Sequence, residues 1–131
     1  MKLSLSRNAL DTVERYLATY QENNWGAMES CLDPERFHFS HHNRSAYAET
    51  ASDFVELMRK MAEEVVPDGR YTEVRSVWAV HDVVVLSLLW DSGKPITSVP
   101  GLLEEGVTQV MHIKSMFVVE NGLITELRDH D

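Results

Sequence analysis

Val118-Val119-Glu120-Asn121-Gly122-Leu123-Ile124-Thr125-Glu126-Leu127-Arg128-Asp129 sets Asn-Gly between two apolar runs. Both turn residues tolerate the positive φ of a two-residue hairpin loop, which makes this the strongest short hairpin signal in the chain. Extending outward, residues 107–120 and 123–130 read as its two strands. Arg70 to Val80 and Val83 to Trp90 read as an earlier pair around a tight turn at His81-Asp82. Val84, Leu86, Leu88 and Trp90 lie on one parity of the second of these strands, and Val83, Val85 and Leu89 on the other. An antiparallel strand facing water on one side does not carry apolar residues on both. Helices are expected to cover one sheet face and a second copy of the chain the other, giving a homodimer through the outer sheet face.

The first half of the chain has the other period. Ala9, Leu10, Val13, Tyr16, Leu17 and Tyr20 recur at intervals of three and four, which predicts an amphipathic helix over 8–23 with Ser6 as its cap. Asn23-Asn24 interrupts the pattern, and Trp25, Met28, Cys31 and Leu32 resume it in a short helix that Asp33-Pro34 ends. Phe37 to His42 is too short and too aromatic for a helix and reads as a strand. Phe54, Leu57, Met58, Met61, Ala62 and Val65 share one face of a third helix over 51–66, closed by Pro67-Asp68-Gly69. The predicted order is α-α-β-α-β-β-β-β, a single α+β domain over residues 1–131.

Bulk composition narrows the partners. The 131 residues are 44% hydrophobic and 25% charged, ordinary values for a folded domain of this length. A formal net charge of −9 repels nucleic acid and anionic membrane surface, both of which need a basic footprint. Met1-Lys2-Leu3-Ser4-Leu5-Ser6-Arg7 lacks the apolar core of a signal peptide, and a lone Cys31 allows no internal disulfide. A cytoplasmic location is the expectation, with Cys31 acting as a small core hydrophobe.

The opening Thr12-Val13-Glu14-Arg15-Tyr16-Leu17, followed by Asn23-Asn24-Trp25, together with the closing hairpin quoted above, resembles the nuclear transport factor 2-like superfamily. Within it the resemblance is to the SnoaL-like polyketide cyclases, ketosteroid isomerases, limonene-epoxide hydrolases and scytalone dehydratases. The resemblance implies a cone-shaped, cystatin-like fold, three helices packed in a curved antiparallel sheet around an internal pocket. It places Tyr16 where ketosteroid isomerases keep an oxyanion-binding phenol. Their general-base aspartate falls at Ser40 or His41 and their second donor at Ser115, neither of which is a carboxylate here. Asp129 falls on one catalytic carboxylate of the epoxide hydrolases, whose arginine and second aspartate fall at Leu88 and Trp90.

Strand alternation sorts the candidate chemistry. If Phe37 and Phe39 face the cone, so does His41, while His38, Ser40 and His42 face away. Thr125, Leu127 and Asp129 group inward on the last strand, as do Ile113, Ser115, Phe117 and Val119 on the one before it. A histidine beside a carboxylate at an apolar pocket suits proton transfer, because imidazole titrates near neutral pH and a carboxylate can fix its tautomer. His41 is thus expected as base, Asp129 as its partner and Tyr16 as neutral donor to a developing oxyanion. Phe39, Leu88, Trp90, Ser115, Phe117 and Leu127 are expected to contact the substrate. The structural alternatives are that Asp129 pairs with a cation or ends its strand, His41 satisfies a backbone carbonyl, and Tyr16 packs in the core. His38 and His42 face the opposite way from His41, so the cluster does not converge on a metal.

Residues 92–106 form a long connection whose Ile96, Val99, Leu102 and Leu103 are too apolar to stand in water, and it is expected to be either a lid over the pocket or a dimer contact. The function this pattern predicts is a cofactor-independent lyase or isomerase acting on a small apolar ligand, a polyketide- or terpenoid-like carbonyl or hydroxyl compound. The alternative is a non-catalytic ligand-binding or dimeric interaction module.

Overall fold

The computed structural model describes residues 4–96 and 106–131. Helices α1 (Ser4–Gln21), α2 (Trp25–Ser30) and α3 (Ala51–Lys60) pack into the concave side of one sheet. Its strands are β1 (His38–His41), β2 (Ala46–Ala48), β3 (Arg70–Val80), β4 (Val83–Asp91), β5 (Val110–Glu120) and β6 (Leu123–His130), in the order β2-β1-β6-β5-β4-β3. The class is α+β and the sheet is curved and unclosed. Every neighbouring pair is antiparallel except β1 with β6, which run parallel with His41 opposite Asp129.

The elements form where the periodicity placed them. On α1, Ala9, Val13, Tyr16 and Tyr20 are buried on one stripe, and Ser6, expected as the cap, lies inside the helix. Asn24 caps α2 by accepting from the Ala27 N–H, and Thr50 caps α3 by accepting from the Asp53 N–H. Asn121 and Gly122 both take positive φ, the requirement of the tight turn joining β5 to β6.

Two features were not anticipated. The strand Ala46–Ala48 follows a single turn of 3₁₀ helix, His42–Arg44, and is reached through Ser45 in the left-handed region. The third helix also widens into a π turn at Met61–Val65, with the Val66 N–H bonding back to Met61 across five residues. Strand β5 begins at Val110 rather than at Val107.

Aromatic rings fill the narrow end of the cone. Phe54 is fully buried, with Phe37 and Phe39 at centroid distances of 5.1 and 4.8 Å, and Tyr16 lies between Phe54 and Phe117. Cys31 is buried in the same core, as expected. On the opposite, convex side Trp78, Val80 and Val110 are exposed, while Val74 and Val77, exposed too, share the inner parity of β3 with their partners Leu88 and Leu86. No helix among the described residues is long and apolar enough to cross a membrane. Ile96 is buried and its backbone pairs with Val107 and Gly106, whereas Val99, Leu102 and Leu103 of the expected lid or dimer contact lie outside the described residues.

Candidate functional site

A cavity of about 110 Å³ occupies the wide end of the cone. Helix α1 contributes Tyr20, the third helix and its π turn contribute Met58, Met61, Ala62 and close with Val66, and the sheet contributes Phe39, His41, Ala46, Tyr71, Trp90, Met111, Ile113 and Asp129. Arg44 reaches it from the 3₁₀ turn. Strand alternation thus delivers His41 and Asp129 to the same wall, as read from the sequence.

The pairing between those two differs from the expectation. His41 Nε2 lies 2.8 Å from Asp131 Oδ1, and Asp131 rather than Asp129 is its hydrogen-bond partner. Asp131 is clamped from several sides: Arg44 donates to both of its carboxylate oxygens, Nε at 2.7 Å from Oδ1, and Asn43 brackets its backbone. These hydrogen bonds, Arg44's first and His41's with it, hold the Asp131 carboxyl down at about 2 against the opposing effect of burial. An ionised Asp131 accepts the hydrogen on Nε2 and so leaves Nδ1 of His41 with its lone pair.

Asp129 is in the opposite situation. It is buried, and Oδ1 accepts from Ser115 Oγ at 2.6 Å. Burial pushes its carboxyl up to about 6; the Ser115 hydrogen bond and His41 pull it down, and the charge of Asp131 adds to the rise. Asp131 and Asp129 are two residues apart on one face, one held ionised and the other titrating near neutral pH.

Two phenols face this carboxylate. Burial first, then the charge of Asp129, raises Tyr16 well above the ordinary range, and burial together with Tyr16 and Asp129 does the same to Tyr71. Both stay neutral donors. Tyr71 lines the cavity, while Tyr16 stands behind it in the aromatic end of the cone. Tyr20 accepts from Trp90 Nε1 at 2.9 Å, which fixes both rings at the cavity wall.

Of the residues expected to contact a substrate, Phe39 and Trp90 line the cavity. Leu88, Ser115, Phe117 and Leu127 do not: they are buried deeper, where the rings of Tyr16, Phe54 and Phe117 have closed the cone. Ser115 acts on the cavity only through Asp129. Sequence reasoning missed Asp131, Arg44, Tyr20 and Tyr71. Extending the alternation of β6 by two residues points to Asp131; Tyr71 carries no such signal, because β3 shifts register beside it. Among the described residues no three His, Cys, Asp or Glu side chains are grouped to hold a metal ion.

A broader depression lies between α1 and the β5–β6 turn, lined by Asp11, Thr12, Arg15, Asp82 and Glu120. None of its charged groups is buried, so it lacks the desolvation that gives the cavity its chemistry.

No protein-family model matches the chain, and no curated protein matches it by sequence. Solved structures do. A candidate polyketide cyclase from a Silicibacter species superposes with a TM-score of 0.78 at 17% identity, covering 94% of this chain and 88% of its own. An LEH-like epoxide hydrolase from M. tuberculosis gives 0.72 at 15% identity over 95% and 82%. A protein from Catenulispora acidiphila with a ketosteroid isomerase-like fold, in complex with trimethylamine, gives 0.73 at 12% identity over 92% and 84%. An NTF2-like protein from Cytophaga hutchinsonii and a cystatin-fold protein from Novosphingobium aromaticivorans superpose comparably. With its helices packed in a curved, unclosed six-stranded sheet, this chain has the nuclear transport factor 2-like, cystatin-like fold.

Proposed function

We propose that the cavity binds a small carbonyl or hydroxyl compound and moves a proton on it, as a cofactor-independent lyase or isomerase does. The carrying observation is the His41–Asp131 hydrogen bond at the cavity wall, backed by Arg44. A carboxylate that fixes the imidazole tautomer leaves a base with a defined lone pair, the arrangement proton abstraction needs. His41 is the base in this reading, and Asp131 takes over the orienting role expected of Asp129. Asp129, opposite His41 across the parallel strand pair, stabilises the imidazolium formed when His41 takes the proton. The neutral phenol of Tyr71, with Tyr16 behind it, is the donor to the substrate oxygen.

The volume limits the ligand. An apolar cavity of roughly 150 Å³ takes a benzene molecule, so about 110 Å³ holds a compound of that order or smaller. A polyketide- or terpenoid-like metabolite has room inside only for its reacting end.

Two further readings accompany this one. The exposed apolar residues Trp78 and Val80 of β3 and Val110 of β5 support a homodimer through the outer sheet face. A single buried thiol suits a reducing compartment such as the cytoplasm.

The test is a thermal-shift screen of small carbonyl, phenol and epoxide compounds, followed by proton NMR of each stabilising compound in deuterated water. Expected is deuterium incorporation or conversion by the wild type that is lost in His41→Ala while binding persists. Binding without exchange or conversion would replace this reading with a non-catalytic ligand-binding module.

A further inference from the structure

The charges at the cavity do not cancel. Arg44 lines it, but its guanidinium holds both oxygens of Asp131, and that pair is electrically closed. His41 also spends its Nε2–H on Asp131. Asp129 is about nine-tenths buried, and its side-chain hydrogen bond among the described residues comes from a neutral hydroxyl, Ser115. It is a carboxylate in a largely apolar cavity, and among the described residues no basic side chain is hydrogen-bonded to it. Protonation is one answer to that deficit, and burial accordingly pushes the group up to about 6. A cationic ligand is the other.

The surroundings favour the second answer. Tyr20, Phe39, Tyr71 and Trp90 line the same small space. Aromatic faces carry negative quadrupole density and attract cations most strongly where water is excluded. The rings are already held: Tyr20 and Tyr71 pack with centroids 5.1 Å apart, and the Trp90 indole N–H is tied to the Tyr20 hydroxyl. An anion entering here would meet Asp129 with like charge.

We propose that the cavity is an ammonium site, in which a small alkylammonium group sits against Asp129 within the rings of Tyr20, Phe39, Tyr71 and Trp90. This rests on the reading of the cavity as the ligand site and names the class of that ligand: small amines, including carbonyl or hydroxyl compounds that carry a cationic nitrogen. Asp129 then anchors the cation, and His41, opposite it on β1, faces the remainder of the molecule.

The experiment is calorimetric titration of the protein with tetramethylammonium and with tert-butanol, a neutral compound of similar shape. Tetramethylammonium is expected to bind at least about tenfold more tightly, as a desolvated cation–π and carboxylate contact supplies. In Asp129→Asn, which keeps the side-chain shape and an oxygen for Ser115, the two should bind alike. The quaternary ion has no proton to lose, so its affinity for wild type should also fall about tenfold between pH 7 and pH 5 as Asp129 protonates, with any charging of the facing His41 acting in the same direction. Equal binding of both probes to wild type, or a cation preference that survives in Asp129→Asn, overturns the ammonium assignment while leaving the cavity as a ligand site. Binding of neither probe, nor of any small carbonyl or phenol, overturns both readings.

Discussion

His41 faces Asp129 across the parallel pair of strands, yet its hydrogen bond runs to Asp131, 2.8 Å away. Removing the charge at Asp131 therefore acts directly on the tautomer of His41 as well as on Arg44. In Asp131→Asn, long-range nitrogen NMR of the His41 ring should show the Nε2–H form of the wild type giving way to a mixture of tautomers. Stability should drop by about 1 to 3 kcal/mol, because the same substitution takes a carboxylate from Arg44. A tautomer unchanged from wild type would mean that Asp131 does not orient the base.

Asp129 should make the protein less stable as pH rises. Its folded value of about 6 lies above the unfolded value of about 4, so between those limits the folded state binds more protons and stability declines with increasing pH. Asp129→Asn removes the penalty. The variant should melt higher than wild type at pH 7, by an amount worth on the order of 2 kcal/mol, and the two should converge below about pH 4. Thermal melts across that range check the sign. Asp131, held at about 2, works in the opposite direction and loses its contribution only as pH falls through that value.

Gly69 is fixed by proximity to Trp90 rather than by backbone angle. A Cβ there would lie 2.6 Å from Trp90 Cζ2 and 3.1 Å from the Val66 carbonyl oxygen. In Gly69→Ala the indole has to move into the cavity and release its hydrogen bond to Tyr20. We expect a loss of about 1 to 3 kcal/mol in urea denaturation, accompanied by a changed tryptophan emission spectrum. An unchanged spectrum would show that the indole is not seated as described.

Trp78 is 68% exposed on the edge strand β3. Sedimentation of the wild type should report a dimer, and Trp78→Lys should shift it toward the monomer with little change in the fold. A monomeric wild type would remove the proposed outer-face homodimer.

The helices and hairpins were legible because each buries one stripe or one parity, and period alone identifies it. Ala46–Ala48 was not: three residues carry no period, and what makes them a strand is the ladder from Phe39 to Ala48, a contact rather than a pattern. The parallel pairing of β1 with β6 was equally hidden, since alternation fixes which way His41 points but not which strand lies beside it. In the site, parity found His41 and Asp129 and stopped two residues short of Asp131. The deep end of the cone was misjudged because Leu88, Phe117 and Leu127 look the same in sequence whether they line a cavity or fill it; the tilted and edge-on packing of Tyr16 against Phe54 and Phe117 decided the matter.

Strand β6 stands third in the sheet although it is made after every other strand. A chain emerging from the ribosome can pair β1 with β2, and β3 with β4 and β5, but the two halves have no seam until Leu123–His130 arrives. Meanwhile β5 offers an open edge, and Ile113, Phe117 and Val119, buried in the finished fold, stand uncovered along it. Any state in which β6 is undocked therefore leaves β5 as an unpaired edge, and that state carries the greatest aggregation hazard.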